Sequence, residues 1–135
     1  MTAALGSDGA AGKGVAAVLW HQGEMDAGAR VDLETYRSTW MDMGNTLRAR
    51  IPAAANTPVK LGEFTPVVAS SAYERYSPIL AAVREIPVYL QFTAVASSEG
   101  LSADSDDGLI HFDAGSQREY GQRYFDELAD AIENL

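Results

Sequence analysis

The sequence contains no cysteine, which excludes a disulfide framework and a thiolate metal centre. It has no basic run either: ten Lys and Arg are scattered among nineteen Asp and Glu, giving a net charge of −9. Surfaces that track a nucleic-acid backbone rest on clustered cations, so nucleic acid is not an expected partner. No apolar stretch approaches the ~20 residues needed to span a bilayer, and no membrane role is expected. Residues 1–14 lack the apolar centre of a secretion signal. Gly6, Gly9, Gly12 and Gly14 make this segment read as a flexible lead-in. With Met1 as the natural start, the cytoplasm is the expected compartment. Also missing is a serine in a nucleophile setting. Ser7, in Gly6-Ser7-Asp8, has no strand before it and no helical pattern after it.

What is present reads as one α/β domain. A chain of 135 residues can bury well over half of its unfolded surface. The apolar run Val15–Trp20 predicts a strand buried on both faces, and the polar segment from His21 to Arg30 predicts a loop. From Asp32 onward Leu33, Tyr36, Trp40, Met43 and Leu47 recur at spacings of three and four. That spacing predicts an amphipathic helix, capped by Asp32 and stopped by Pro52. A second strand is expected within Pro58–Phe64. A short helix follows behind Ser77-Pro78, then a third strand over Val88–Val95. After the acidic loop Ser97–Gly108, Asp113 can cap a last helix that aligns Tyr120, Tyr124, Leu128, Ala131 and Leu135. Strands alternating with helices predict a parallel sheet between helix layers. Three strands make a narrow sheet, so an upstream segment or a second chain is expected to complete it.

Two polar motifs stand at the ends of these elements. Trp20-His21-Gln22-Gly23-Glu24 closes the first strand, and Ile110-His111-Phe112-Asp113 opens the last helix. Ligands of open parallel sheets bind at the carboxyl ends of the strands, where both motifs are expected to fall. A histidine there suits a general base, and an amide suits an oxyanion donor. His21, next to Gln22 at a strand end, reads as a packing or loop residue. Asp104, Asp106 and Asp107 read as a solvated acidic loop; they lack the glycine and distal glutamate of an EF-hand, so no metal is expected.

The stretches Trp20-His-Gln-Gly-Glu-Met-Asp26 and Gly108-Leu-Ile-His-Phe-Asp-Ala-Gly-Ser-Gln-Arg-Glu-Tyr-Gly121 resemble the SGNH (GDSL-like) hydrolase superfamily. Within it they are most similar to the sialate O-acetylesterase and acetylxylan esterase-like branch. The resemblance runs from about Val15 to the C-terminus and makes 15–135 the C-terminal part of such a domain. It implies a flavodoxin-like three-layer α/β/α fold, incomplete in this chain. It also implies a cofactor-free serine esterase that removes O-acetyl groups from a carbohydrate or related ester. His111 matches the catalytic base, Gln22 and Gly23 the oxyanion block, and Glu24 and Asp26 the residues that fasten it. The acid of such sites lies three residues before the histidine, where this chain has Gly108; Asp107, one residue earlier, is the expected partner, with Asp104 and Asp106 as alternatives. The serine block is expected upstream, outside these 135 residues, so the chain alone should be a poor esterase. The other reading is a non-catalytic or structural relative that binds a glycan or a partner. A nucleotide-binding domain is discounted, because no glycine-rich phosphate loop follows the first strand.

Overall fold

The computed structural model describes residues 15–65, 70–107 and 109–133. The lead-in over residues 1–14, Ser7, Gly108 and Leu135 lie outside the described residues. Strands β1 (Val18–Trp20), β2 (Val59–Gly62) and β3 (Thr93–Ala96) pair in parallel in that order. Val18 stands opposite Val59, and Val59 opposite Thr93. Helices α1 (Glu24–Gly28) and α2 (Leu33–Arg50) connect β1 to β2, and α3 (Ser70–Tyr89) connects β2 to β3. Helices α4 (Ala114–Asp126) and α5 (Leu128–Glu133) follow β3.

Side chains alternate across a sheet, and the two faces of β2 carry different cores. Val59 and Leu61 join Tyr36 and Trp40 of α2 and Ile79, Val83 and Ile86 of α3 in the main cluster. Lys60 and Gly62 face the other way. The Gly62 backbone abuts Tyr120 and Tyr124 of α4. The fully buried Lys60 ammonium donates to the Glu127 carbonyl (2.9 Å) and pairs with its carboxylate (3.1 Å), at the break between α4 and α5. Helices therefore cover both faces of a three-strand parallel sheet, an incomplete three-layer α/β/α arrangement. Among the described residues no helix is long and apolar enough to cross a membrane.

Several elements differ from their sequence expectation, each for an identifiable reason. The strand expected as doubly buried over Val15–Trp20 is shorter, and it forms one edge of the described sheet with Leu19 60% exposed. Among the described residues, helices α4 and α5 lie chiefly over β2 and β3. Within the expected loop His21–Arg30, α1 forms because Ala27 is fully buried against the main core. Asp32 caps α2 as expected, accepting from Thr35 N at 2.8 Å.

Helix α3 starts well before Ser77-Pro78 and runs through Pro78 and Pro87. An interior proline costs about 3 kcal/mol. Burial of Ile79, Val83 and Ile86 offsets it, at about 1.5–3 kcal/mol per side chain. Val88 and Tyr89, expected in a strand, finish this helix and are exposed. The chain then reverses at Phe92, with φ 56°, into β3. Asp113 caps α4, accepting from Ser116 N at 2.7 Å.

Beside β1, at the edge of the described sheet, lies an apolar hollow of about 460 Å³, lined by Val15, Val18, Trp20, Trp40, Met43 and Leu47 among others. Trp20 and Trp40 meet edge to face there, 6.3 Å between centroids. The buried indole N–H of Trp40 has no acceptor among the described residues.

Candidate active site

At the carboxyl ends of β1 and β2 the chain closes a second cavity of about 250 Å³, lined by His21, His111, Phe112, Gln117, Tyr120 and Tyr124. His21 leaves β1 and turns toward α4. Its ring packs against Tyr120 (5.6 Å, perpendicular) and Phe112 (5.8 Å). Its Nε2 lies 3.3 Å from Glu24 Oε1 and its Nδ1 3.5 Å from the Tyr124 hydroxyl. This close assembly depends on Gly62. A Cβ at that position would sit 1.9 Å from the Tyr124 hydroxyl and 2.6 Å from His21 Nδ1.

The tyrosines also satisfy strand ends. Tyr124 donates to the Trp20 carbonyl (3.2 Å), and the Tyr120 hydroxyl lies within 2.9 Å and 3.0 Å of the Glu63 and Ala96 carbonyls. Burial pushes both phenols well above their ordinary pKa.

Gln22, one residue on from His21, points elsewhere. Its carboxamide donates to Asp26, and Tyr36 donates to the Gln22 carbonyl (2.9 Å), with Gln22 Oε1 also in reach at 3.4 Å. Gln22 and Asp26 line a different hollow, with Trp20, Tyr36 and Trp40. Burial lifts the Tyr36 phenol to about 12. Gly23 forms the corner between the two, at φ 141°. A Cβ there would lie 2.6 Å from the Phe64 ring and 2.8 Å from Ile79, so a larger residue is excluded by space as well as by backbone conformation.

His111 is exposed at the mouth of the His21 cavity, on a loop fastened at several points. Asp104 N donates to the His111 carbonyl (2.8 Å), and Asp113 N donates to the Ser102 carbonyl (3.2 Å). Thr65, just past β2, donates to the Leu109 carbonyl (2.8 Å). The Asp104 carboxylate caps the 3₁₀ turn Ser105–Asp107 by accepting from Asp106 N at 2.9 Å. The Asp107 side chain and Gly108 lie outside the described residues. Among the described residues no group of three or more His, Cys, Asp or Glu could hold a metal.

Of the expected site residues, His111 thus lines a cavity at the strand ends, while Gln22 and Asp26 share the neighbouring hollow. His21, expected to be a packing or loop residue, faces His111's cavity.

Over residues 3–130 the sequence matches the family model described as carbohydrate esterase, sialic acid-specific acetylesterase. The chain belongs to this family. No curated protein matches it. The match spans both polar motifs and all three strands, and it agrees with the branch that the two motifs resemble.

One buried group in this carbohydrate esterase domain has no counterpart in the sequence reading. Glu63, directly after β2, is 6% exposed. It accepts from Arg84 Nε (2.5 Å) and from Ser98 N (3.0 Å). Burial pushes its carboxyl up, but the Arg84 and Ser98 hydrogen bonds outweigh that and hold it below the usual range. It ties α3 to the loop that carries His111. The available signal was a charged residue immediately behind Val59-Lys-Leu-Gly62, where a strand meets the ligand-binding edge of a parallel sheet.

Proposed function

We propose that the chain is the base-bearing part of a serine-type O-acetylesterase acting on acetylated sugars such as O-acetylated sialic acid. The observation that carries this reading is His111 in a cavity at the carboxyl ends of the strands, within a chain of the carbohydrate esterase family. A serine from a segment preceding these residues attacks the ester carbonyl, and His111 takes its proton. The tetrahedral oxyanion collapses to an acetyl-serine, with His111 protonating the departing sugar oxygen. Water, deprotonated by the same imidazole, then releases acetate. Asp107 orients His111.

Gln22 and Gly23 supply oxyanion donors. A carboxamide carries two N–H donors. Asp26 engages one and Tyr36 lies within reach of Oε1, on the side of the hollow away from His111, so donation to the oxyanion requires the carboxamide to turn toward the His111 cavity. Glu24 and Asp26 fasten this corner. The position of β1 at the edge of the described sheet, with the apolar hollow and the Trp40 indole beside it, supports docking of a further strand from the preceding segment.

The test is hydrolysis of p-nitrophenyl acetate and of O-acetylated sialic acid. It compares the chain alone with a longer polypeptide that adds the preceding segment. The longer form turns over, and His111→Ala lowers its kcat by about 10²–10⁴-fold. Unchanged turnover in that variant overturns the reading. The alternative is a non-catalytic domain that binds acetylated glycans. It is favoured by one fact: none of the described residues lining the cavity is a serine. Retained glycan binding with no turnover in the longer polypeptide identifies it.

A further inference from the structure

We infer that the cavity beside His111 is an acyl pocket, kept open by Gly121, that takes aliphatic chains of about four to six carbons as well as acetyl. This rests on the reading of His111 as the base, and it adds longer-chain carboxylic esters to the substrates of that site.

Three observations carry it. First, Gly121 lines this cavity from the interior of α4, where glycine weakens a helix relative to alanine. Packing does not demand it there. A Cβ at Gly62 would collide with a tyrosine hydroxyl, whereas a Cβ at Gly121 would meet nothing within 4 Å. The missing side chain leaves open space in the cavity that holds His111.

Second, the walls present carbon. The cavity is mostly apolar, and the buried rings of Phe112, Tyr120 and Tyr124 form much of it. Its polar atoms are directed elsewhere. The Tyr124 hydroxyl donates to the Trp20 carbonyl, and that of Tyr120 lies against the Glu63 and Ala96 carbonyls. Gln117 Nε2 donates to the Phe112 carbonyl (2.8 Å), and His21 Nε2 faces Glu24. Among the described residues these walls offer few donors to the hydroxyls of a sugar. They suit an alkyl chain, and the alcohol half of the ester belongs outside them.

Third, the space is too large for acetyl. It measures about 250 Å³, whereas a methyl group is comparable to a water molecule, at about 30 Å³. The chemistry is that of the acetyl ester. The serine oxygen bonds to the acyl carbon, the ester C–O bond breaks, and the departing oxygen takes its proton from His111. Water then releases the longer carboxylic acid.

The first experiment needs no turnover. Neutral ethyl butyrate and ethyl acetate are titrated into the full chain, and the backbone amides of Phe112 and Gly121 are followed by NMR. Ethyl butyrate should move both and bind about tenfold more tightly than ethyl acetate, the worth of two further buried methylenes. Gly121→Leu, which fills the space and suits a helix better than glycine, should abolish the shift at Phe112 without lowering the thermal midpoint. Equal binding of the two esters, or binding unaffected by Gly121→Leu, overturns the pocket.

The second experiment uses the longer polypeptide and compares p-nitrophenyl butyrate with p-nitrophenyl acetate. The wild-type ratio of kcat/KM should favour butyrate by about tenfold. Gly121→Leu should lower that ratio by about tenfold or more, with Gly121→Ala between the two. An unchanged ratio overturns the inference. So does an equal fall with both esters, which would mean that another part of the protein occupies the space. Either result, with His111→Ala inactive, leaves the base assignment standing. Full turnover in His111→Ala overturns that assignment instead, and the titration of the chain still decides whether the cavity holds an alkyl chain.

Discussion

Single residues in this molecule are constrained chiefly by what they must avoid or neutralise. Gly62 is small because two tyrosine hydroxyls and an imidazole occupy the space a methyl group would need. Glu63, its neighbour, is charged because Arg84 and the Ser98 amide are there to receive a carboxylate. Its pKa is depressed in the folded state, so the unfolded chain binds the proton more readily. The resulting stability is present above the ordinary carboxylate pKa and is lost as pH falls through the lower folded value. Glu63→Gln should therefore cost about 1–2 kcal/mol at neutral pH, the worth of charge-assisted bonds to a partly exposed guanidinium and an amide. It should also flatten the acid side of the stability curve, read by urea denaturation between pH 3 and pH 7. An acid limb as steep as wild type would show that Glu63 is not a source of that dependence. At the residue scale the His111 motif was legible as chemistry, and its side chain lines a cavity at the strand ends. It failed at His21. Val15–Trp20 is apolar throughout, so no polar alternation told which of the next residues would face the cavity and which the adjoining hollow.

At the level of elements, caps and periodicity were the readable signals. Leu33–Arg50 shows both: a stripe at helical spacing, an aspartate that accepts from Thr35 N, and a proline just beyond the end. Pro78 gave the opposite lesson. A proline after serine is a normal first helical residue, yet tertiary burial of Ile79, Val83 and Ile86 keeps the helix continuous upstream of it. The two placements predict different mutational outcomes. Inside a helix, proline withholds an N–H from the carbonyl four residues earlier and strains the turn. Pro78→Ala should then stabilise the chain by about 1 kcal/mol or more. At a first helical position the same change should be neutral or destabilising. Thermal unfolding of the two proteins separates these cases. The break between α4 and α5 was equally unreadable, since the aromatic and aliphatic stripe continues across it. At that break the Lys60 ammonium, reaching from β2, bonds the Glu127 carbonyl.

For the molecule as a whole, the parallel pairing of the strands and the helix layers on the sheet follow from alternating elements in the sequence, whereas the order β1-β2-β3 does not. Which strand lies at the edge did not follow, because composition shows that a strand is apolar without showing whether a neighbour is present. The edge has a measurable signature. In a parallel ladder, alternate residues direct their amides to opposite sides. Val18 N donates to the Pro58 carbonyl at 2.9 Å, so the Leu19 amide points away from β2. In the chain alone, the Leu19 amide should exchange with solvent orders of magnitude faster than that of Val18. In the longer polypeptide its exchange should slow to match. Equal protection of both amides in the chain alone would show that the edge is already covered.

The loop from Ser97 to Asp113 is held on both flanks. The Arg123 guanidinium donates to the Ser97 (2.9 Å) and Glu99 (2.7 Å) carbonyls, and Ser102 N donates to the Ser116 hydroxyl (2.8 Å). Thr65 and the Asp104–His111 pairing secure the returning limb, while Ser105 and Asp106 at the tip are exposed. Covalent continuity at that tip is therefore dispensable to the arrangement below it. A protease that nicks Ser105–Asp106 would leave two fragments clasped together, with the imidazole still seated, and the same peptide bond is the natural place to divide the domain into complementing halves.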